Sequence, residues 1–201
     1  MNTKIKITLF GVVWILGICF GIWQLLKYEN SPGINSKPPV SFPKNSSLKT
    51  TRGIPTLIVF VHPHCPCTRA TISELAQILT RRKEALKTYV VFFRHSKLPV
   101  EWVKTDLWEY VERMKGVEPI IDEAGKEMKI FNVLTSGHSL LYDEKGKLVF
   151  SGGITASRGH VGNNIGRSTV VALLNNKTLN TVGYNNKYKV FGCPLVKTRD
   201  K

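Results

Sequence analysis

Residues 56–79 read Thr-Leu-Ile-Val-Phe-Val-His-Pro-His-Cys-Pro-Cys-Thr-Arg-Ala-Thr-Ile-Ser-Glu-Leu-Ala-Gln-Ile-Leu, and this stretch decides the fold. The apolar, β-branched run over 56–61 is typical of a strand buried on both faces. Apolar residues at helical spacing then predict a helix over 68–84. Cys65 and Cys67 lie between the two, where the helix begins. Because the positive end of a helix favours thiolates, this junction is suited to sulfur chemistry.

The chain after this stretch alternates between strand and helix patterns. Strands are predicted over 88–93, 139–142 and 147–150, the last two joined by a hairpin turn at 143–146, and a short strand or turn is predicted over 119–122. Helices are predicted over 100–115, 124–131 and 164–174, with Asn163 or Asn164 capping the last one. This order predicts an α/β sheet with helices on both faces.

The N-terminal region has the pattern of a membrane anchor followed by a linker. Residues 7–26 carry no charge and would span about 30 Å as a helix, and no Ala-x-Ala-like cleavage site follows them. The basic tail 1–6 predicts a cytoplasmic N-terminus and an extracytoplasmic, periplasmic domain, where disulfide chemistry is possible. The proline-rich residues 27–53 predict a linker, residues 54–177 a folded domain, and residues 178–201 a C-terminal tail.

Charge and cysteine content narrow the function classes. The chain has a formal charge of +15, but its basic residues are spread from Lys4 to Lys201, which argues against nucleic-acid binding. Attraction to a lipid bilayer, which residues 7–26 are expected to cross, or solubility explains this charge. Of the four cysteines, Cys19 lies in the apolar segment, and three lie beyond it. An odd number of thiols does not fit a structural disulfide framework and favours a reactive site.

The order of strand, thiols and helix resembles the thioredoxin-like superfamily, and in particular its membrane-anchored extracytoplasmic branch. Residues 122–133 are similar to the segment before the signature loop of that branch, and residues 139–149 to its later strand–turn–strand. The resemblance covers residues 54–176. It implies a central mixed sheet flanked by helices, and thiol–disulfide exchange with thiol-bearing or disulfide-bearing proteins outside the cytoplasm. No cofactor is required for that chemistry.

Two departures from this family leave the chemistry open. The usual Cys-x-x-Cys is shortened to Cys65-Pro66-Cys67, and His138 stands where the family has a cis-proline facing the thiols. The resemblance therefore places His138 opposite the thiols, lining the substrate face. The second departure is similar to the Sco proteins of copper delivery to cytochrome oxidase. That similarity implies the alternative of a Cu(I)-binding assembly protein with Cys65, Cys67 and His138 as ligands.

In the exchange interpretation, Cys65 is the expected nucleophile and either Cys67 or Cys193 is the resolving thiol. Side chains at i and i+2 diverge on a helix, so a direct Cys65–Cys67 bridge would need a bend at Pro66 and would be strained. Cys193 lies in a Gly-Cys-Pro turn and could reach the site if the tail folds back. A packed, unreactive thiol is the alternative there. A third hypothesis is that all these thiols are inert and the domain only binds a partner.

Other candidates surround the thiols or lie in a glycine-rich loop. His62 and His64 could lower a thiol pKa or bind a metal, or they could simply be helix-entry residues. The loop 152–166 is not a Walker motif, and its glycines could merely permit tight turns. Its Arg158 and His160 would otherwise suit an anionic group or a lid beside the thiols.

Overall fold

The computed structural model describes residues 3–34, 36–82, 85–175 and 188–195. The chain forms two compact units, Met1–Ser31 and Pro32–Lys201. The first unit is helix α1, Thr3–Glu29, which has no buried residue and a mean hydropathy of 2.2 over its most apolar window. Helix α1 is long and apolar enough to cross a membrane. The predicted apolar span 7–26 lies within it.

The second unit is built on a five-stranded mixed sheet. Its strands are β1 (Thr56–Val61), β2 (Lys87–Arg94), β3 (Val117–Glu123), β4 (His138–Tyr142) and β5 (Leu148–Gly153). They lie in the order β3-β2-β1-β4-β5. Strands β1, β2 and β3 are parallel, whereas β4 runs antiparallel to both β1 and β5. The predicted mixed sheet and its closing hairpin are confirmed.

Among the described residues, four helices and a short turn complete this unit. They are α2 (Pro66–Arg81), α3 (Asp106–Glu112), α4 (Lys126–Ile130), α5 (Ile165–Leu174) and a 3₁₀ turn over Val100–Trp102. Helix α2 begins before residue 68 because Pro66 suits the first helical position. Residues 83–84 of its predicted end lie outside the described residues. Helix α5 begins after Asn164, whose side-chain Oδ1 accepts a hydrogen bond from the Arg167 N–H at 2.7 Å.

The continuous helix predicted over 100–115 is wrong. Thr105 adopts an extended conformation, with φ −82° and ψ 172°, and separates the 3₁₀ turn from α3. Both pieces still turn apolar side chains towards the sheet, so Val103 and Val111 are fully buried. Tyr110 is 48% exposed, whereas Trp108 is buried.

Apolar clusters cover both faces of the sheet. One contains Leu57 and Val59 of β1 together with buried residues of α2, α3 and α5. The other contains Ile58 and Phe60 of β1 together with residues of α4 and Leu48. Alternate residues of β1 therefore enter opposite clusters, as the period of a strand requires. This confirms the doubly buried strand that the apolar run 56–61 predicts.

Residues 32–53 differ from the predicted linker, because they pack against the domain. The Gly33 N–H donates to the Val190 carbonyl at 2.8 Å, and the Tyr142 hydroxyl donates to the Pro39 carbonyl at 3.1 Å. Leu48 is 3% exposed and belongs to the second apolar cluster. The compact unit thus begins at Pro32 rather than at residue 54. Prolines suit this extended path because their φ is already restricted.

Residues 188–195, called the C-terminal strap below, lie against the loop that joins α4 to β4. The Ser136 N–H donates to the Cys193 carbonyl and the Leu195 N–H donates to the Leu134 carbonyl, both at 2.9 Å. Buried side chains of the strap are Val190, Phe191 and Leu195. The remainder of the predicted tail, 178–187 and 196–201, lies outside the described residues.

Candidate active site

Cys65 lies at the junction between β1 and α2. It is the N-cap residue of α2, with φ −85° and ψ 120°, and Pro66 follows at the first helical position. Its N–H donates to the His62 carbonyl at 3.1 Å, and its carbonyl accepts from the Thr68 N–H at 2.9 Å. This tight turn confirms the thiol at a helix N-terminus that the sequence predicts.

The C-terminal strap brings Cys193 to Cys65. Their Sγ atoms lie 2.8 Å apart, although the two residues are 128 positions apart in the chain. Both cysteines are free thiols in this structure. The strap is held here by the Ser136 N–H and by Arg158, whose Nη1 donates to the Gly192 carbonyl at 2.7 Å. The structure therefore pairs the thiol at the helix start with the one from the tail.

The surroundings shift the pKa values of these two thiols in opposite directions. Burial acts to raise the pKa of Cys65, but hydrogen bonds from Cys193, the nearby backbone and Cys67 outweigh it, so the pKa of Cys65 is lowered. Burial, with the hydrogen bond to Cys65 and the charge of Cys65, raises the pKa of Cys193 to about 12. Cys65 is thus the more acidic thiol of the pair.

Cys67 lies in the first turn of α2 and is 7% exposed. Burial raises the pKa of Cys67, and so does the charge of Cys65 beside it. The Arg158 guanidinium opposes that increase at Cys67 and also at Cys193. Three thiols therefore interact at this site, and Arg158 supplies the positive charge that faces two of them.

His138 does not lie opposite the thiols. Its Nδ1 is 3.1 Å from the Ser36 Oγ, and its Nε2 is 2.8 Å from the Ser151 Oγ. Residues 138, 140 and 142 of β4 share one face of the sheet, and Leu140 and Tyr142 belong to the cluster on the side of α4. Helix α2 packs on the other face. The residue that contacts the C-terminal strap is instead Ser136, two positions earlier.

The copper alternative needs Cys65, Cys67 and His138 to converge, and the structure does not bring them together. Both ring nitrogens of His138 are occupied by serine hydroxyls, and burial lowers its pKa to about 4. In residues 3–34, 36–82, 85–175 and 188–195, no group of three His, Cys, Asp or Glu side chains is arranged to hold a metal ion.

His62 and His64 form an aromatic cluster with Trp102 beside the thiols. The His62 and Trp102 rings are 5.3 Å apart and those of His64 and Trp102 are 4.6 Å apart, measured between centroids. His64 Nε2 lies 2.8 Å from the Trp102 carbonyl oxygen. Burial lowers the pKa of His62, and the charge of His64 lowers it further. A neutral His62 cannot act as the imidazolium that the sequence offered as an activator of Cys65.

The glycine-rich loop does reach the thiols, through Arg158. His160 points elsewhere: it is exposed, and its Nδ1 lies 2.8 Å from the Arg158 carbonyl oxygen. The far end of the loop is tied to α2, because the Glu74 carboxylate accepts a hydrogen bond from the Gly162 N–H at 2.6 Å and pairs with the buried Arg167. The loop is thus hydrogen-bonded to the C-terminal strap through Arg158 and to α2 through Gly162.

Two residues that help to hold the site together were not predicted from the sequence. Ser136 accepts a hydrogen bond from the His62 N–H on its Oγ at 3.0 Å, and the Thr68 Oγ1 lies 3.1 Å from the same atom. Glu74 is a fully buried carboxylate on a helix whose apolar pattern gave no reason to single it out. No local sequence signal marks either residue, since both act through distant partners.

Comparisons with known proteins bear on the fold. No protein-family model and no curated protein matches the chain. It is similar to the structure of a hypothetical protein from Sinorhizobium meliloti 1021, with a TM-score of 0.55 and 18% identity over 82% of this chain and 93% of that one. It is also similar to an uncharacterized conserved protein from Geobacillus kaustophilus, with a TM-score of 0.53 and 14% identity over 86% and 95%.

A third similar structure is a secreted Mycobacterium tuberculosis disulfide oxidoreductase homologous to E. coli DsbE, with a TM-score of 0.43 and 15% identity over 61% of this chain and 81% of that one. The fold itself rests on the topology of this chain. Its parallel strands β1 and β2 are joined through a helix that starts at the thiols, and the antiparallel pair β4–β5 completes the sheet. The chain therefore has a thioredoxin-like fold, as the sequence resemblance implies.

Proposed function

We propose that this protein is a membrane-anchored, extracytoplasmic thiol–disulfide exchange protein whose redox couple is Cys65 and Cys193. The observation that carries the proposal is the 2.8 Å separation of the two Sγ atoms at the N-terminus of α2. Exchange requires one thiolate and a second thiol within reach. The lowered pKa of Cys65 and the raised pKa of Cys193 support that division of roles.

The couple stores two electrons. When Cys65 and Cys193 become a disulfide, the two thiols lose two electrons and two protons, and a disulfide in a partner protein takes them up and becomes a dithiol. The reverse reaction reduces a partner disulfide and restores the two thiols. The partners are therefore thiol-bearing or disulfide-bearing proteins, and no metal or organic cofactor takes part.

Cys193 rather than Cys67 is the proposed redox partner of Cys65. Cys67 follows Cys65 on the same turn, and a disulfide between them would need a strained ring. Cys193 arrives on a separate segment that is hydrogen-bonded to Ser136 and Arg158, so its sulfur is already held beside Cys65. The charge of Arg158 supports thiolate character at Cys193 whenever that thiol must leave.

The couple can be identified by disulfide mapping. The full chain in detergent is oxidised with glutathione disulfide, alkylated and digested with trypsin, which places Cys193 on a different peptide from Cys65 and Cys67. We expect linked peptides in the wild type and in a Cys67→Ser variant, and none in Cys65→Ser or Cys193→Ser. Linkage that survives Cys65→Ser but not Cys67→Ser would contradict the assignment.

Activity is measured on the same samples as oxidation or reduction of a dithiol peptide. Cys65→Ser and Cys193→Ser should each lower the rate at least tenfold. Cys19→Ser is the matched control, because Cys19 lies in α1 and outside the folded unit that carries the site. Full activity in both of the first two variants would contradict the proposed function.

The location is proposed from α1 and the basic residues before it. A helix of this length and hydropathy can anchor the chain, and a short basic tail favours a cytoplasmic N-terminus. Protease added to intact spheroplasts should then digest the domain while leaving α1 in the membrane. Protection of the domain until the cells are lysed would contradict the extracytoplasmic orientation.

A further inference from the structure

The two sulfur atoms of the proposed couple are not equally accessible. Cys65 is 4% exposed, because it lies beneath the C-terminal strap and at the buried start of α2. Cys193 is partly exposed. An incoming protein thiol must approach the sulfur that it attacks along the axis of the bond that breaks. In a Cys65–Cys193 disulfide, Cys193 is therefore the more accessible of the two residues.

The strap keeps this difference in place. Buried Val190 and Phe191 precede Cys193, buried Leu195 follows it, and Gly192 fits so closely that a Cβ there would lie 1.9 Å from the Ser136 carbonyl oxygen. The Cys193 carbonyl accepts a hydrogen bond from the Ser136 N–H, and the Leu195 N–H donates to the Leu134 carbonyl. Cys65 therefore cannot become exposed by a side-chain rotation alone, since the strap would have to leave its site.

The two sulfur atoms also differ as leaving groups, and this difference favours attack at Cys193. Attack on one sulfur of a disulfide expels the other as a thiolate, and the more acidic thiol leaves faster. Attack at Cys193 expels Cys65, which lies at the positive end of α2. Attack at Cys65 would instead expel Cys193, which is near the Arg158 charge but has no helix terminus behind it.

We propose that substrate thiols attack the Cys193 sulfur of the oxidised couple, so that the mixed disulfide with substrate forms on Cys193 and Cys65 leaves as a thiolate. This inference rests on the proposed exchange function and gives the site its working direction. The attacking substrate thiolate forms an S–S bond to Cys193 while the Cys65–Cys193 bond breaks, and the electron pair of that bond stays on Cys65. A second thiolate of the substrate then attacks the substrate sulfur, which releases Cys193 and a substrate disulfide.

The net reaction oxidises a dithiol protein and reduces the couple. Two substrate thiols lose two protons and two electrons, and Cys65 and Cys193 gain them as two thiols. A disulfide-bearing partner protein restores the couple by the reverse exchange. In this direction, the substrate class is a protein with two reduced cysteines.

The test locates the first mixed disulfide. The full chain with Cys19→Ser and Cys67→Ser is oxidised in detergent and mixed with one equivalent of a seven-residue peptide that contains a single cysteine. The reaction is stopped with acid at short times, remaining thiols are alkylated with N-ethylmaleimide, and tryptic peptides are identified by mass spectrometry. We expect the peptide on Cys193 and N-ethylmaleimide on Cys65, in at least tenfold excess over the reverse pattern.

The wild-type chain is treated in parallel, because Cys193 is alone on its tryptic peptide and its conjugate is identifiable without any substitution. Conjugates on Cys65, or equal amounts on both, would overturn the direction of attack and leave the exchange function standing. Failure of the chain to form a Cys65–Cys193 disulfide would overturn the exchange function and this inference with it.

Discussion

Ser136 is the residue through which the site is assembled. Its Oγ accepts a hydrogen bond from the His62 N–H just before the thiols, and its N–H donates to the Cys193 carbonyl on the strap. One serine thus joins the end of β1 to the C-terminal strap. The contact between Cys65 and Cys193 depends on this link, because nothing in their local sequences directs one towards the other.

His138 gives a prediction at the scale of one residue. Burial lowers its pKa to about 4, whereas an unfolded histidine titrates near 6.5, so the unfolded chain binds more protons between these values. The free energy of unfolding should therefore fall as the pH drops through this window, by about 2 kcal/mol from this group between pH 7.5 and pH 5. Urea unfolding of the detergent-solubilised chain at the two pH values measures the loss.

The control compares two variants at both pH values. His138→Gln removes the titrating ring, so its stability should depend less on pH than that of the wild type over this window. His95→Gln replaces an exposed ring and should leave the wild-type dependence unchanged. An unaltered slope in His138→Gln would show that the buried ring does not titrate as described.

At the scale of elements, helices α2 and α5 are joined by a buried ion pair. Glu74 is fully buried, and Arg167 is 5% exposed. Arg167→Met leaves the Glu74 carboxylate buried without its cation, which should lower the free energy of unfolding by about 3–5 kcal/mol. The double variant Glu74→Gln, Arg167→Met removes the charge as well and should be more stable than Arg167→Met alone. Urea unfolding measures both, and a double variant that is no more stable than Arg167→Met would contradict the pairing.

The C-terminal strap gives a second prediction about an element. A Cβ at residue 192 would lie 1.9 Å from the Ser136 carbonyl oxygen, so Gly192→Ala must displace the strap. We expect the rate of Cys65–Cys193 disulfide formation to fall at least tenfold and Cys65 to be alkylated faster, because its cover is disturbed. Lys189→Ala, at an exposed position of the same strap, should change neither rate. Unchanged rates in Gly192→Ala would contradict the close packing of Gly192 against the Ser136 carbonyl.

At the scale of the whole molecule, the folded unit includes residues that resemble a linker in sequence. Ser46 donates to the Glu127 carboxylate at 2.6 Å, and Leu48 is buried among the residues of the second apolar cluster. A chain that begins at Pro32 should therefore unfold at the same urea concentration as the full chain. A chain that begins at Ile54 should be less stable, by about 2 kcal/mol from Leu48 alone. Equal midpoints for the two truncated chains would show that residues 32–53 contribute nothing to stability.

The sequence by itself determined what local patterns can encode. The apolar run 56–61, the thiols at the start of α2 and the hairpin at 143–146 follow from strand period, helix spacing and turn residues, each set by near neighbours. These elements, in their order along the chain, were enough to predict the thioredoxin-like sheet and to place Cys65 at the start of α2. The helix predicted over 100–115 failed because the extended conformation of Thr105 overrides a continuous apolar pattern.

Only the tertiary structure decided which distant residues meet. Cys193 reaches Cys65 because the strap is hydrogen-bonded to the loop before β4, and His138 is kept from the thiols because it faces the opposite side of the sheet. A one-residue change of strand register would move the His138 side chain to the other face of the sheet. Local residue propensities determine neither the register of a strand nor the path of a tail. Contacts across 128 residues arise from packing, which is why the sequence left both Cys67 and Cys193 open as the partner of Cys65.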